Sequence, residues 1–130
     1  MFEDFGKMVF DFCTTAPEFG DLLFEQHSKK IKSKAFFIDA GSSEIPSYID
    51  GSVTTNLVFR IELKDDFSKE GTRFESRDIL NGFILWVREN YRREMSSANN
   101  FIVLSQPNKS EVRNNNEAIW STVLQITFGE

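Results

Sequence analysis

The chain has 130 residues, of which 40% are hydrophobic and 27% charged, a composition typical of one globular domain rather than of a disordered segment. Its 15 Lys and Arg residues are outnumbered by 20 Asp and Glu residues, for a formal net charge of -5, and no basic stripe marks a nucleic-acid-binding surface. A single cysteine excludes an intramolecular disulfide and is typical of a reducing compartment.

The N-terminal residues, "MFEDFGKMVF", contain early acids and interrupted apolar residues, so they lack the basic start and the continuous apolar region of a signal peptide. No stretch of the sequence approaches the roughly 20 apolar residues that a transmembrane helix needs. We therefore expect a soluble protein that is made in a cytoplasm.

The first predicted element is an amphipathic helix that ends near Pro17, where the ring of proline opposes helix continuation. Its apolar residues recur at steps of three and four, which places them on one stripe: Phe2, Phe5, Val9, Phe12 and Ala16. A short second helical piece is possible in "PEFGDLLFEQ", although Gly20 opposes it.

Two strands are predicted next. The segment from Ser33 to Ala40, "SKAFFIDA", is compact, apolar and β-prone, whereas the turn-rich "GSSEIPS" after it predicts a loop. A turn at Asp50-Gly51-Ser52 then opens onto a strand from about Val53 to Lys64 with strict alternation. The alternation predicts a buried face of Leu57, Phe59, Ile61 and Leu63 and a wet face of Val58, Arg60, Glu62 and Lys64.

The strongest helix prediction runs from about Arg77 to Met95, with a broad apolar face and arginines near its end that complement the helix dipole. Ser76 is its predicted N-cap. Gly82 weakens this helix unless a neighbouring backbone packs closely against it.

Two further strands close the chain. "NFIVLSQP" predicts a third strand that Pro107 stops, and the asparagines at 114–116 predict a tight turn. The last strand alternates with Trp120, Leu124, Ile126 and Phe128 inward. The order helix, two strands, helix, two strands predicts a single α+β domain over residues 1–130, with an antiparallel or mixed sheet of about four strands and two or more helices on one face.

Candidate catalytic residues do not converge in the sequence. His27, the single histidine, lies in the polar stretch "EQHSKK", which is typical of a surface residue without a role. Cys13 lies beside the apolar stripe of the first helix and is expected to be buried. Asp50 and the adjacent Asp65 and Asp66 are possible ligands of a hard cation, but acids at a strand end are usually only solvated. We expect no enzyme activity, no cofactor and no metal.

Five stretches taken together resemble one protein family. They are "YIDGS", the alternating "NLVFRIELKDDF", the helical "GFILWVREN", "FIVLSQPN" and the closing "AIWSTVLQITF". Over about Phe36 to Phe128 the chain is similar to the tail-terminator or minor capsid proteins of long-tailed phages. These stretches are patterns of fold and turn rather than catalytic signatures.

The resemblance implies a structural virion protein without enzymatic activity. Such a protein forms a ring, typically six-fold, that caps the tail tube and joins it to the head connector. The implied partners are further copies of the chain, the tail tube protein and a head-completion or connector protein, without a membrane. DNA would pass through the lumen without specific binding, and acids that line the lumen would repel it. The implied location is the tail or neck of the virion, after assembly in the host cytoplasm.

A ring closes through a heterologous interface, in which one patch of a subunit meets a different patch of the next. Mixed charges on the wet face can set the register of such a contact. The expected interface residues are Asp50, Arg60, Glu62, Lys64, Asp65 and Asp66.

Two alternatives remain open from the sequence. Another neck protein, such as a head-completion protein, would bind the portal or adaptor side instead. A small-ligand-binding or enzymatic α+β domain would be a monomer or dimer with a pocket between helix and sheet.

Overall fold

The structure is a computed structural model that describes residues 2–29, 33–46, 53–66, 72–113 and 117–129. In these ranges the chain forms two helices and six strands. In chain order they are α1 (Phe2–Thr14), β1 (Leu23–Phe24), β2 (Ser33–Ile38), β3 (Ser43–Pro46), β4 (Val53–Asp66), α2 (Thr72–Glu94), β5 (Ala98–Arg113) and β6 (Glu117–Gly129).

The described strands form one mixed sheet in the order β1-β2-β4-β6-β5, and β3 pairs with β4 beyond the end of β2. Only β1 and β2 are parallel in this sheet, since the other pairs are antiparallel. The predicted α+β class is therefore confirmed, but the sheet has six strands where about four were expected.

The long central strand β4 has the buried face that its alternation predicts. Leu57, Phe59 and Ile61 are fully buried, and Leu63 is 5% exposed. On β6, Leu124 and Ile126 lie directly opposite Phe59 and Leu57, and cross-strand partners share a face of the sheet. We call this side of the sheet the inner face.

Both helices pack on the inner face and complete one hydrophobic core. Aromatic rings join the layers, because the rings of Phe5 and Phe128 stack with centroids 4.6 Å apart and those of Phe12 and Trp86 with centroids 4.8 Å apart. The abundant phenylalanine of the sequence thus fills the space between α1, α2 and the sheet.

Two short strands replace elements that were predicted differently. The turn-rich "GSSEIPS" contains β3, which is stabilised by pairing with β4 rather than by its own propensity. The possible second helical piece is a series of turns followed by β1, and the positive φ angle of Glu18 (70°) interrupts any helix there.

Two predicted element ends are also wrong. Helix α2 begins at Thr72, so Ser76 lies inside the helix, 2% exposed, and is not its N-cap. Strand β5 continues through Pro107 to Arg113, which is possible because β5 is an edge strand and its register shifts around this position. The predicted turns at Asp50-Gly51-Ser52 and at 114–116 lie outside the described residues.

Neither helix in the described ranges combines the length and the apolar character needed to span a membrane.

Candidate functional site

The side of the sheet opposite the helices, which we call the outer face, is only partly wet. Among the residues of β4 expected to face water, Val58 and Lys64 are each only 5% exposed. The side chain of Glu62 is 13% exposed and that of Arg60 is 34% exposed. The predicted wet face is therefore wrong for most of its residues, because another segment of the chain covers one end of it.

The covering segment is the connection that leaves β1. Glu25 has a φ angle of 61°, and its backbone N–H donates to the Phe36 carbonyl over 2.7 Å. The Glu25 carboxylate accepts a hydrogen bond from the Ile38 backbone N–H at 2.9 Å. This left-handed residue ends the parallel pairing, and residues 26–29 then reach side chains of the outer face.

His27 is the centre of this covering segment. Its Nε2 lies 2.8 Å from Glu62 Oε1, and its Nδ1 lies 3.0 Å from Ser33 Oγ. A carboxylate only accepts, so Nε2 carries the proton toward Glu62, and in the neutral ring Nδ1 accepts from the Ser33 hydroxyl. The side chain of His27 is 9% exposed, so the prediction of an exposed histidine without a role is wrong.

Glu62 is shared between two nitrogen donors, His27 and Arg60. Arg60 Nε donates to Glu62 Oε2 at 2.6 Å, while the Arg60 guanidinium lies 4.8 Å from the centre of the Phe37 ring and 3.8 Å from Asp39 Oδ2. Burial of Glu62 opposes its ionisation, but the hydrogen bonds and charges of His27 and Arg60 outweigh this effect and lower the pKa of the carboxyl.

Lys64 fixes the far end of the covering segment. Its Nζ donates to the Ser28 carbonyl at 2.5 Å, and the Ser28 backbone N–H donates to Ser33 Oγ at 2.9 Å. We call the group His27, Ser33, Arg60, Glu62 and Lys64 the outer-face network. Its members come from the β1–β2 connection, from β2 and from β4, and contacts across the sheet bring them together.

The order Ser33–His27–Glu62 has the connectivity of a hydrolytic serine–histidine–carboxylate relay. However, Ser33 is 7% exposed, and its oxygen already accepts the Ser28 N–H. A nucleophile must reach the carbon atom that it attacks. The geometry favours a structural clamp that holds the covering segment on the sheet.

The other three residues expected at an interface, Asp50, Asp65 and Asp66, are not members of the outer-face network. Asp65 lies at the end of β4 and lines a small cleft of about 210 Å³ together with Ser33 and Lys64. The backbone of Asp66 pairs with that of Glu117, and its side chain lies outside the described part of the structure. Asp50 also lies outside the described residues.

A second site lies on the helix side of the molecule, as an open groove of about 600 Å³. The connection after α1 contributes Ala16, Pro17 and Glu18 to its lining. Helix α2 contributes the rest, at steps of three and four along one stripe: Glu75, Asp78, Ile79, Gly82, Phe83 and Trp86. We call it the acidic groove, because its charged residues are Glu18, Glu75 and Asp78.

The sequence analysis singled out Arg60, Glu62 and Lys64 of the outer-face network, but it missed the roles of His27 and Ser33 and the whole acidic groove. The α2 stripe of the acidic groove was open to detection, because Glu75, Asp78 and Gly82 recur at helical spacing beside apolar residues. No local signal joins His27 to Glu62, since 35 positions separate them in the chain.

Two further candidates are a metal site and the thiol of Cys13. Within the described ranges, no three His, Cys, Asp or Glu side chains are grouped so that they could hold a metal ion. Cys13 is fully buried, as predicted, and burial raises the pKa of its thiol.

No model of a known protein family matches this sequence, and no curated protein matches it significantly.

Proposed function

We propose that this protein is a structural virion subunit that resembles a phage tail terminator, forms a ring on the tail tube and joins the tube to the head connector. The observation that carries the proposal is the sequence resemblance over about Phe36 to Phe128. Four of its five quoted stretches coincide with β4, α2, β5 and β6, which form most of the sheet and one of its covering helices.

Exposed apolar side chains on the outer face support a role in assembly. Ile45 is 55% exposed and Ile102 is 41% exposed. Their cross-strand partners, Thr54 and Gln125, belong to the face that the helices leave uncovered. The two side chains lie on β3 and β5, on either side of β4 and β6, where each is available for a contact with another protein.

Within this proposal, Arg60 is the member of the outer-face network whose side chain is most available for a neighbouring subunit. Glu62 and Lys64 are held by His27 and Ser28, so they position the covering segment. Arg60 keeps a third of its side chain exposed. A guanidinium presented on a rigid strand and stacked on Phe37 can define the register of a heterologous contact.

The test is size-exclusion chromatography with light scattering over a wide concentration range, followed by negative-stain imaging of each peak. We expect closed rings of one size for the unmodified chain. A strict monomer at every concentration would contradict spontaneous ring assembly.

The Arg60→Glu variant tests the expected interface residue, with Lys7→Glu on α1 as the matched reversal at an exposed site. We expect Arg60→Glu to weaken ring formation and Lys7→Glu to leave it unchanged. Rings of unchanged stability in Arg60→Glu would remove Arg60 from the interface.

Co-sedimentation separates the two positions in the neck. A tail terminator is expected to sediment with tail tubes, whereas a head-completion protein would sediment with the portal or adaptor.

The volume of the acidic groove favours a second candidate function, a small-ligand-binding α+β domain, because drug-sized ligands occupy clefts of this size. This candidate predicts a monomer or dimer whose melting temperature rises with a ligand of suitable chemistry.

A further inference from the structure

The charged residues that line the acidic groove are all negative. Within the described part of the chain, Glu18, Glu75 and Asp78 form no ion pair. Lys34 lines the adjoining smaller cleft with Glu18 and Glu75, but its Nζ is paired with Asp21 at 3.2 Å. The groove is therefore complementary to a cationic surface.

The floor of the groove is apolar and open. Ile79, Phe83 and Trp86 line it, and Trp86 is held in place by stacking on Phe12. Gly82 lies between them, and a Cβ atom built on this residue meets nothing within 4 Å. The groove therefore has room for an apolar side chain between its carboxylates.

The same helix carries a surface with the complementary chemistry. Leu85, Arg88 and Arg92 recur at steps of three and four and form one exposed stripe, which we call the basic flank. Leu85 is 55% exposed, an unusual exposure for an apolar residue in the middle of a long helix. No carboxylate in the described residues pairs with either arginine of the basic flank.

The acidic groove and the basic flank lie on neighbouring stripes of α2. The groove is shared with the connection after α1, which contributes Ala16 and Pro17. The basic flank is directed to β5, because the Arg88 guanidinium lies 5.9 Å from the Phe101 ring centre and Arg92 Nη2 donates to the Asn99 carbonyl at 3.2 Å. The two patches share no residue, so the acidic groove of one copy and the basic flank of the next can meet, as a head-to-tail contact requires.

We propose that the acidic groove of one copy receives the basic flank of the next copy, with Leu85 over the apolar floor and the arginines of the basic flank against the groove carboxylates. The proposal rests on the ring assembly proposed above and specifies a contact for it. Guanidinium–carboxylate pairs are well suited to this role because their paired hydrogen bonds fix orientation. The contact would also cover Leu85.

The experiment uses two charge-reversed variants of the full chain. One is Glu75→Lys/Asp78→Lys in the acidic groove, and the other is Arg88→Glu/Arg92→Glu in the basic flank. Each variant alone presents like charges at every contact, so we expect the concentration needed for rings to rise by about tenfold or more. An equimolar mixture of the two restores opposite charges at both kinds of contact, so we expect rings in which the variants alternate.

The matched control is Asp4→Lys/Asp11→Lys on α1, which reverses two exposed acids outside both patches and is expected to leave the rings unchanged. Glu75 and Arg92 also lie at the two ends of α2, where they complement the helix dipole, so circular dichroism must first show that the variants fold. If a charge reversal unfolds the chain, Gly82→Phe is used in its place. The phenyl group fills the acidic groove and excludes Leu85 of the neighbouring copy.

The outcomes separate this inference from the ring proposal. Rings in the unmodified chain that persist in each reversed variant, or that fail to return in the mixture, would overturn the contact and leave the ring proposal standing. Rings that are also retained by Gly82→Phe would overturn it independently. If the unmodified chain forms no rings, the ring proposal itself fails. Charge-reversed variants that form no rings alone but form rings when mixed would establish the contact.

Discussion

Glu62 is the acceptor that joins two donors of the outer-face network. It accepts hydrogen bonds from His27 at 2.8 Å and from Arg60 at 2.6 Å. We expect Glu62→Gln to lower the free energy of unfolding at neutral pH by about 1 to 3 kcal/mol, because hydrogen bonds to a charged group are weakened and the Arg60 guanidinium loses this counter-charge. Urea denaturation followed by circular dichroism measures this difference.

The difference in free energy of unfolding between the unmodified chain and Glu62→Gln is expected to depend on pH. The pKa of Glu62 is lower in the folded chain than its ordinary value of 4.5, so the unfolded chain takes up this proton first as the pH falls. The stabilisation is therefore complete above about pH 4.5 and is lost as the pH falls through the folded pKa. We expect the curves of the unmodified chain and Glu62→Gln to converge below this value. Glu89→Gln, an exposed residue of α2, is the control, and a constant difference at all pH values would contradict the assignment.

Cys13 provides a probe of how tightly α1 is held. It is fully buried, and the same burial raises the pKa of its thiol, so both access and thiolate formation oppose reaction. We expect a thiol reagent such as dithiobis(nitrobenzoic acid) to react with the folded chain only at the rate of an opening event, and to label one thiol per chain at once in denaturant. Rapid labelling under native conditions would show that α1 leaves the sheet much more readily than the rest of the core.

At the scale of single elements, the glycines of the two helices differ in the space available for a side chain. Gly82 in α2 has open space where a Cβ would be placed, so Gly82→Ala should raise the free energy of unfolding by about 0.5 to 1 kcal/mol. Gly6 in α1 is the matched comparison, because a Cβ there would overlap Ile38 Cδ1. In Gly6→Ala we expect the gain in helix propensity to be offset by the overlap with Ile38. Chemical denaturation of both variants measures this, and equal effects at the two sites would contradict the packing of α1 on β2.

The long elements could be predicted because each carries its own periodic pattern. Every second residue of β4 from Leu57 to Leu63 is apolar, and α2 has an apolar stripe that extends over several turns. The short strands β1 and β3 have two and four residues, and backbone pairing with β2 and β4 stabilises them. No local pattern specifies such strands. The predicted stop at Pro107 is wrong because proline disfavours a central strand, whereas β5 is an edge strand.

The sites were harder to predict than the elements for a related reason. Arg60, Glu62 and Lys64 alternate with apolar residues, and alternation indicates which residues share a face but not what covers that face. The covering segment depends on the left-handed turn at Glu25 and on a histidine that is remote in sequence from its carboxylate partner. The acidic groove likewise needs the position of α1 relative to α2, which no periodicity supplies.

At the scale of the whole molecule, a single core joins both helices to the sheet, and this predicts cooperative unfolding. Trp86 on α2 and Trp120 on β6 both pack against that core, so their fluorescence reports on different layers. We expect fluorescence and far-ultraviolet circular dichroism to give coincident denaturation curves. Phe59→Ala removes a fully buried ring that stacks on Phe36. We expect it to lower the free energy of unfolding by about 3 to 5 kcal/mol and to shift both curves together. Separated curves would show that the helical layer unfolds independently.

Assembly and folding should respond differently to salt. The proposed contact between the acidic groove and the basic flank lies at the surface, and the range of surface electrostatics falls from about 10 Å at 0.1 M salt to about 3 Å at 1 M. In contrast, Glu62 and Lys64 are largely covered, so their interactions are screened less. We expect sodium chloride to dissociate rings while the melting temperature of the dissociated chain changes little. Rings that persist unchanged at high salt would mean that apolar surface, such as Ile45 and Ile102 on the outer face, carries the assembly instead.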